Sequence, residues 1–115
     1  MLLKENRLRN KKDFDKVFKE GRGFKEDFLY LKFRNNNSEV SRFGFIVSQK
    51  ISKKAVIRNK LKRRLREIIN TEMARIKNGI DVVLITSPGL ENRDFQKLKE
   101  IVVKTLAKAR IRKDV

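Results

Sequence analysis

Residues 50–67 read KISKKAVIRNKLKRRLRE, and this basic stretch dominates the sequence. Nine Lys or Arg residues and no acidic residue precede Glu67 within it. From Ile57 onward, apolar residues recur mostly at steps of three and four, the spacing of one helix face. The pattern predicts a helix that begins near Ala55 or Val56 and packs an apolar stripe on a core. The apolar residues are Val56, Ile57, Leu61, Leu65, Ile68, Ile69, Met73 and Ile76.

The polar side of this helix carries an unusual density of like charge. Outside the stripe lie Asn59, Lys60, Lys62, Arg63, Arg64 and Arg66. Arg58 projects toward the apolar side, where its long side chain could reach past the core edge. Like charges on adjacent turns repel one another by about 0.2–0.5 kcal/mol per pair. A polyanionic partner would supply the missing countercharge. The alternative is a solvated basic face without a partner.

Composition indicates a folded domain with a strongly cationic surface. The 115 residues carry a formal net charge of +17, with 39% hydrophobic and 39% charged residues. This length predicts one domain, residues 1–115, with a modest core. The charge favours an anionic partner, with nucleic acid as the first candidate and an anionic membrane surface as the second.

Several classes of chemistry are excluded by missing residues and motifs. The sequence contains no Cys and no His, which excludes thiol nucleophiles, disulfides, zinc fingers and imidazole bases. No glycine-rich phosphate-binding motif occurs. No apolar run approaches the roughly 20 residues of a membrane span, and no signal-peptide core begins the chain. We therefore expect a cytoplasmic protein without catalytic residues or a metal site of its own.

Shorter patterns predict the remaining elements. Strands are predicted at residues 28–34, 43–48 and 80–86, and helices at residues 11–20, from 55 or 56 to about 77–79, and after a cap at Asn92. We expect the first two strands to pair antiparallel across a turn at 35–38, and Arg22 and Gly23 to lie in a loop. A short extra strand near Asp27 is an alternative. Gly44 leaves room for close approach of another group. This order predicts an α/β fold, a small mixed sheet with helices packed on it.

Aromatic residues are concentrated in the first half of the chain. The sequence has eight Phe and one Tyr, many beside basic residues. Aromatic rings on a sheet face can stack unpaired bases while Lys and Arg hold phosphates. Core packing is the alternative, and it is favoured for any single Phe.

The central sequence resembles a known signature. Residues 44–48, Lys50 and residues 55–67 resemble the arginine-rich RNR motif of the bacterial ribonuclease P protein subunit, with Lys60 as the third residue of the triplet. Residues 7–21 and 80–85 are also similar to that family. Where many members have Gly-Asn before Ala-Val, this chain has Ser-Lys-Lys at residues 52–54, one residue longer.

The resemblance implies a function in a ribonucleoprotein. In that family, a catalytic RNA uses bound magnesium ions to cleave the 5′ leader from precursor tRNA, and the protein binds both RNAs. The implied partners are therefore the catalytic RNA, in a 1:1 complex, and precursor tRNA, without membrane or DNA. The implied fold is a two-layer α/β sandwich with a left-handed β-α-β crossover, against the usual right-handed rule.

The resemblance also assigns residues to two surfaces. The residues expected to face the catalytic RNA are Lys53, Lys54, Arg58, Asn59, Lys60, Lys62, Arg63, Arg64 and Arg66. Phe14 and Phe18, with the exposed sheet face, are expected to line a cleft for the leader. Weaker candidates for that cleft are Lys11, Lys32, Ser48 and Lys50.

Three other interpretations remain. A ribosomal-type RNA-binding structural protein accounts for the charge and size but not for the signature. A membrane-surface protein would use the basic amphipathic helix, which lacks Trp and Phe on its apolar face. A DNA-binding module is disfavoured because no helix and turn precede the basic helix.

Overall fold

The order of elements follows the predicted alternation, with one additional strand. The computed structural model describes residues 2–113. In chain order its elements are α1 (Lys11–Glu20), β1 (Arg22–Glu26), β2 (Leu29–Asn35), β3 (Arg42–Ile46), α2 (Ala55–Glu72), β4 (Ile80–Thr86) and α3 (Phe95–Lys108). Short 3-10 turns occur at Lys4–Asn6, Met73–Arg75 and Leu90–Asn92. The predicted mixed sheet with packed helices is confirmed.

The sheet places β4 between β2 and β3. The strand order is β1-β2-β4-β3, with β4 antiparallel to β2 and parallel to β3. The predicted antiparallel pairing of residues 28–34 with residues 43–48 is therefore wrong. Nearly every residue of β4 is buried, and such a strand requires a neighbour on each edge. β3, α2 and β4 form a β-α-β unit, whose handedness stays a prediction.

Arg22 and Gly23, predicted as loop residues, instead begin the edge strand β1. This strand pairs antiparallel with β2, and the Phe24 and Phe33 rings stack with centroids 6.0 Å apart. Phe28, predicted to begin the next strand, lies in the connecting turn with φ of 61°. β1 corresponds to the short extra strand near Asp27 that the sequence offered as an alternative. Its pattern is weak because four of its five residues are charged or glycine.

Two helix boundaries also differ from the predictions. α2 ends at Glu72, several residues before the predicted stop at residues 77–79, and a 3-10 turn follows. The cap of α3 is Asp94, whose carboxylate accepts a hydrogen bond from the Lys97 N–H at 2.8 Å. The predicted cap, Asn92, belongs to the preceding 3-10 turn.

α2 and α3 cover one face of the sheet and form the main core. Leu31, Phe43 and Leu84 of three adjacent strands are at most 1% exposed there. Burying each such side chain contributes about 1.5–3 kcal/mol. The predicted stripe of α2 is buried at Leu61, Leu65, Ile68 and Ile69. Val56 is instead 79% exposed, because five residues of helix rotate it about 140° from Leu61.

α1 lies on the opposite face of the sheet. Its Val17 is fully buried and forms a small second core with Leu8 and Val83. Phe14, Ile46 and Ile85 pack against this cluster while remaining partly exposed. α1 covers only part of this sheet face, and the uncovered part contributes to the site described next.

Candidate nucleic-acid interface

The outward side of α2 and its preceding loop form a cationic surface, called here the α2 cationic face. All nine of its residues are exposed or half-exposed: Lys53, Lys54, Arg58, Asn59, Lys60, Lys62, Arg63, Arg64 and Arg66. Among residues 2–113, none of its eight Lys and Arg side chains forms an ion pair with an acidic group. The structure thus leaves this positive charge available to a polyanion.

Arg58 connects the start of α2 to the loop before it. Its Nη1 donates a hydrogen bond to the Ser52 carbonyl at 2.9 Å, and the Lys54 N–H donates to the Ser52 hydroxyl at 3.1 Å. The first turn of α2 contains no acidic residue. Helix N-termini carry partial positive charge, which adds to that of the neighbouring lysines.

A groove runs between the α2 cationic face and the N-terminal segment. It has a volume of about 650 Å³ and is lined by Arg7, Asn59, Lys62, Arg63, Arg66 and Glu67. Arg7 is held in place because its Nε and Nη2 donate to the Leu2 carbonyl at 3.1 and 2.9 Å. The predictions from sequence missed Arg7 as a site residue, although it belongs to a short basic lead-in.

A second groove adjoins the first and leads toward α1. Its volume is about 390 Å³, and it shares Arg7, Lys62 and Arg66 with the first groove. Phe14 and Arg9 also line it, together with Leu8 and residues 43–45 of β3. Arg9 is a second cation that the predictions missed. The structure therefore brings the predicted leader residue Phe14 beside two cations of the α2 cationic face.

One row of sheet residues lies directly under α1. Gly44 of β3, Val83 of β4 and Lys32 of β2 lie side by side in register. The Phe14 ring packs on Gly44, which confirms the predicted close approach at this glycine. At the other end, the Lys32 ammonium donates to the Phe18 carbonyl at 2.7 Å. Lys32 therefore binds the C-terminal end of α1, where a cation is favourable.

The next row of the same sheet face is only partly buried. It consists of Ile46, Ile85 and Tyr30, which pair across β3, β4 and β2 and are all half-exposed. This set is called here the open row. An apolar and aromatic strip beside cations suits the stacking of unpaired bases. The predictions named the exposed sheet face and included Tyr30 among the aromatic residues that could stack bases, but they named neither Ile46 nor Ile85.

Four other predicted leader residues lie on α1 or after the end of β3. Phe18 is 37% exposed, and Lys11 is also exposed. Ser48 and Lys50 form a turn after β3, in which the Lys50 N–H donates to the Ser48 hydroxyl at 3.2 Å. None of these four residues lines the groove that contains Phe14. The structure thus brings together only part of the predicted set.

One buried acidic residue near this surface serves a structural ion pair. Asp81 of β4 is fully buried and accepts hydrogen bonds from Arg42 at 2.9 and 2.7 Å. These bonds raise the pKa of Arg42 above its ordinary value and keep the guanidinium charged. Across residues 2–113, no three acidic side chains are grouped to hold a metal ion. No helix in that range is long and apolar enough to span a membrane.

Comparison with known proteins agrees with the geometry. The profile of the Ribonuclease P family matches residues 2–110. The chain is 36% identical to the ribonuclease P protein component of a Pseudanabaena species, covering 96% of this chain and 97% of that protein. It is 35% identical to the component from Dictyoglomus turgidum, covering 96% of this chain and 93% of that protein.

Solved structures share the fold. The Staphylococcus aureus RNase P protein superposes with a TM-score of 0.87 at 25% identity, covering 94% of this chain and 98% of that chain. The Thermotoga maritima RNase P protein superposes with a TM-score of 0.81 at 36% identity, covering 89% of this chain and 96% of that chain. Family profile, full-length relatives and fold agree, and this chain belongs to the ribonuclease P protein family.

Proposed function

We propose that this protein binds the catalytic RNA of ribonuclease P and the 5′ leader of precursor tRNA, and so assists removal of the leader. Ribonuclease P is an endoribonuclease with its active site in the RNA subunit, and that RNA is the partner of this family. The observation that carries the proposal is the α2 cationic face, whose charges have no acidic partner among residues 2–113.

The α2 cationic face is the proposed contact with the catalytic RNA. Its Lys and Arg side chains neutralise phosphates and release condensed counterions, which supplies affinity without reading sequence. Arg7, across the groove from Lys62, Arg63 and Arg66, adds a further positive charge. Folded RNA is recognised largely through its backbone and shape, which suits a rigid helix that presents charge at regular intervals.

The surface beside α1 is the proposed contact with the leader. Phe14 and the open row offer apolar and aromatic area, and Arg9, Lys62 and Arg66 lie at the same groove as Phe14. Stacking and phosphate contacts tolerate many base sequences. Such tolerance suits a protein that serves many precursors, because their leaders differ in sequence.

Magnesium is proposed to act through the RNA subunit. The described residues do not fit a metal site on the protein, since they contain no suitable cluster of ligands. The protein would assist cleavage by holding the leader and neutralising RNA phosphates near the bound substrate. We further propose that the whole chain acts as one RNA-binding domain, in a 1:1 complex with the RNA in the cytoplasm.

Cleavage of a precursor tRNA by a bacterial ribonuclease P RNA at low magnesium tests the proposal. We expect the wild-type protein to restore cleavage and the double variant Arg63→Ala, Arg66→Ala to require about tenfold more protein. The matched control is Lys97→Ala, Lys99→Ala on α3, which removes the same charge elsewhere and should rescue like wild type. Circular dichroism establishes that each variant is folded.

The opposite result would favour the ribosomal-type alternative. If the wild-type protein binds RNA but never rescues cleavage by a closely related ribonuclease P RNA, the proposed role is wrong. Equal loss of rescue in both double variants would also contradict it, because the effect would then follow net charge instead of the α2 cationic face.

A further inference from the structure

A row of charged residues borders α1 on the side opposite the open row. Arg42 of β3, Asp81 of β4 and Arg34 of β2 lie side by side across the sheet. α1 contributes two acidic side chains to this border. Asp13 lies 3.1 Å from Arg42, and Glu20 lies 3.9 Å from Arg34. The helix is therefore flanked by ion pairs on one side and by the partly exposed open row on the other.

The Arg42 side chain is held by the sheet as well as by α1. Its Nε and Nη2 bind both carboxylate oxygens of the buried Asp81, which also accepts a hydrogen bond from the Asn36 side chain at 2.8 Å. A buried carboxylate requires such partners, because an unpaired buried charge is strongly destabilising. The remaining nitrogen, Nη1, points at Asp13. The rigid, planar guanidinium thus links Asp81 of β4 to Asp13 in the first turn of α1.

Other contacts also hold α1 on the sheet. Just before the helix, the Leu8 N–H donates a hydrogen bond to the Phe43 carbonyl at 2.9 Å. Val17 is the one fully buried side chain of α1 among the described residues. Phe14 packs closely on Gly44. The Lys32 contact binds the opposite end of the helix. The Asp13–Arg42 pair is the charged contact that joins the first turn of α1 to the sheet.

We propose that Arg42 and Asp13 are positioning residues for leader binding. Their ion pair holds the N-terminal end of α1 over the row of Gly44 and Val83, and so keeps the open row accessible to the leader. This inference rests on the proposed leader contact. Neither residue needs to touch RNA. The two residues keep Phe14 and the open row at a constant separation, so that the single-stranded leader binds a preformed site.

Asp13→Ala tests the inference, and Asp15→Ala is its matched control. Both substitutions lie in α1 and remove one acidic charge, and Asp15 is exposed. Asp13→Ala leaves the Arg42–Asp81 contact intact, so the core should be retained. Holoenzyme affinity is measured for precursor tRNA with a leader and for mature tRNA without one. The ratio of these affinities isolates the contribution of the leader.

We expect Asp13→Ala to reduce the ratio of the two affinities about threefold or more. This is the effect on binding expected from the loss of one partly buried ion pair. Asp15→Ala should leave the ratio unchanged, and both variants should bind the catalytic RNA alike. Hydrogen exchange of the free protein supplies a readout independent of RNA. Amides of α1 should exchange faster in Asp13→Ala than in Asp15→Ala, with those of β4 unchanged.

The possible failures are distinguishable. If the wild-type holoenzyme gains no affinity from the leader, the proposed leader contact is wrong and the inference fails with it. If the wild type gains affinity and Asp13→Ala matches Asp15→Ala, the positioning role alone is overturned. A uniform loss of protection through α2 and β4 in Asp13→Ala would also overturn it, since the pair would then support the whole fold.

Discussion

The Phe14 ring rests directly on the backbone of Gly44, where a Cβ would stand 2.7 Å from Phe14 Cε1. The absence of a side chain at residue 44 thus allows α1 to approach β3. Val17 beside it is fully buried, which leaves the helix little room to move away. This contact joins the two elements that line the proposed leader site.

Gly44→Ala should therefore destabilise the protein. The added methyl group must displace the Phe14 ring, and overpacking of this kind costs about 1–3 kcal/mol. Urea unfolding measures the change. Phe14→Ala removes the obstructing ring, so the double variant should lose less stability than the sum of the two single variants. Simple additivity would show that the ring is not what the methyl group meets.

The salt dependence of RNA binding should report contacts by the α2 cationic face. Each phosphate contact contributes about 0.7–0.9 to the slope of log affinity against log salt concentration. The double variant Arg63→Ala, Arg66→Ala should therefore show a less steep salt dependence for the catalytic RNA, with the magnitude of the slope reduced by about 1.5. Titrations at several potassium concentrations measure it. An unchanged slope, or an equal decrease in Lys97→Ala, Lys99→Ala, would place the contacts elsewhere.

Sulfate should stabilise the free protein more than chloride at equal ionic strength. The net charge of +17 opposes compaction, and an anion that binds only the folded state stabilises it by mass action. Thermal unfolding followed by circular dichroism gives the shift in Tm.

Sulfate also stabilises proteins in general by exclusion from their surface, so a variant control is required. Arg63→Ala, Arg66→Ala should show a smaller sulfate response than the wild type, because exclusion acts on both while specific binding is weakened only in the variant. Equal responses would exclude an anion site on the α2 cationic face.

Glu26 should contribute a pH-dependent part of the stability. Hydrogen bonds from Lys108 and Lys104 hold the pKa of this carboxylate below its ordinary value of 4.5. The folded state therefore binds the proton less readily than the unfolded state. The contribution is present above pH 4.5 and is lost as the pH falls through the lowered pKa.

Glu26→Gln makes this contribution measurable. At pH 7 the variant should have a lower Tm than the wild type, and the difference should shrink as the pH is lowered below 4.5. Glu100→Gln on α3 serves as a control, because its partner Lys97 is 3.9 Å away and both side chains are more than half exposed. A Glu26→Gln difference that is constant with pH would show that the carboxylate charge is not its source.

Local patterns were sufficient for several elements. The three-to-four spacing from Ile57 correctly predicted that α2 is a helix. It also correctly predicted that Leu61, Leu65, Ile68 and Ile69 lie on its buried side. The continuous apolar run of β4 correctly predicted a central buried strand. The bounds of α1 were also correct. These features depend on residues near one another in the chain, so their periodicity is visible without the fold.

Local residue patterns did not predict how the strands pair. The partners of β3 were predicted from the turn at residues 35–38, but β4 separates β2 from β3. Similarly, the sequence offered a strand near Asp27 only as an alternative, because β1 has Phe24 as its single large apolar residue. Both cases depend on which distant segments bury each other, and no local spacing encodes that choice.

By itself, the sequence determined the charge, the cationic helix and the absence of thiol and imidazole chemistry, because these follow from residue type and helical spacing. Only the tertiary structure decided which residues meet. It placed Arg7 across a groove from α2, aligned Ile46, Ile85 and Tyr30 into the open row, and set Asp13 against Arg42. These neighbours lie far apart in the chain, and the packing of α1 and the register of three strands bring them together.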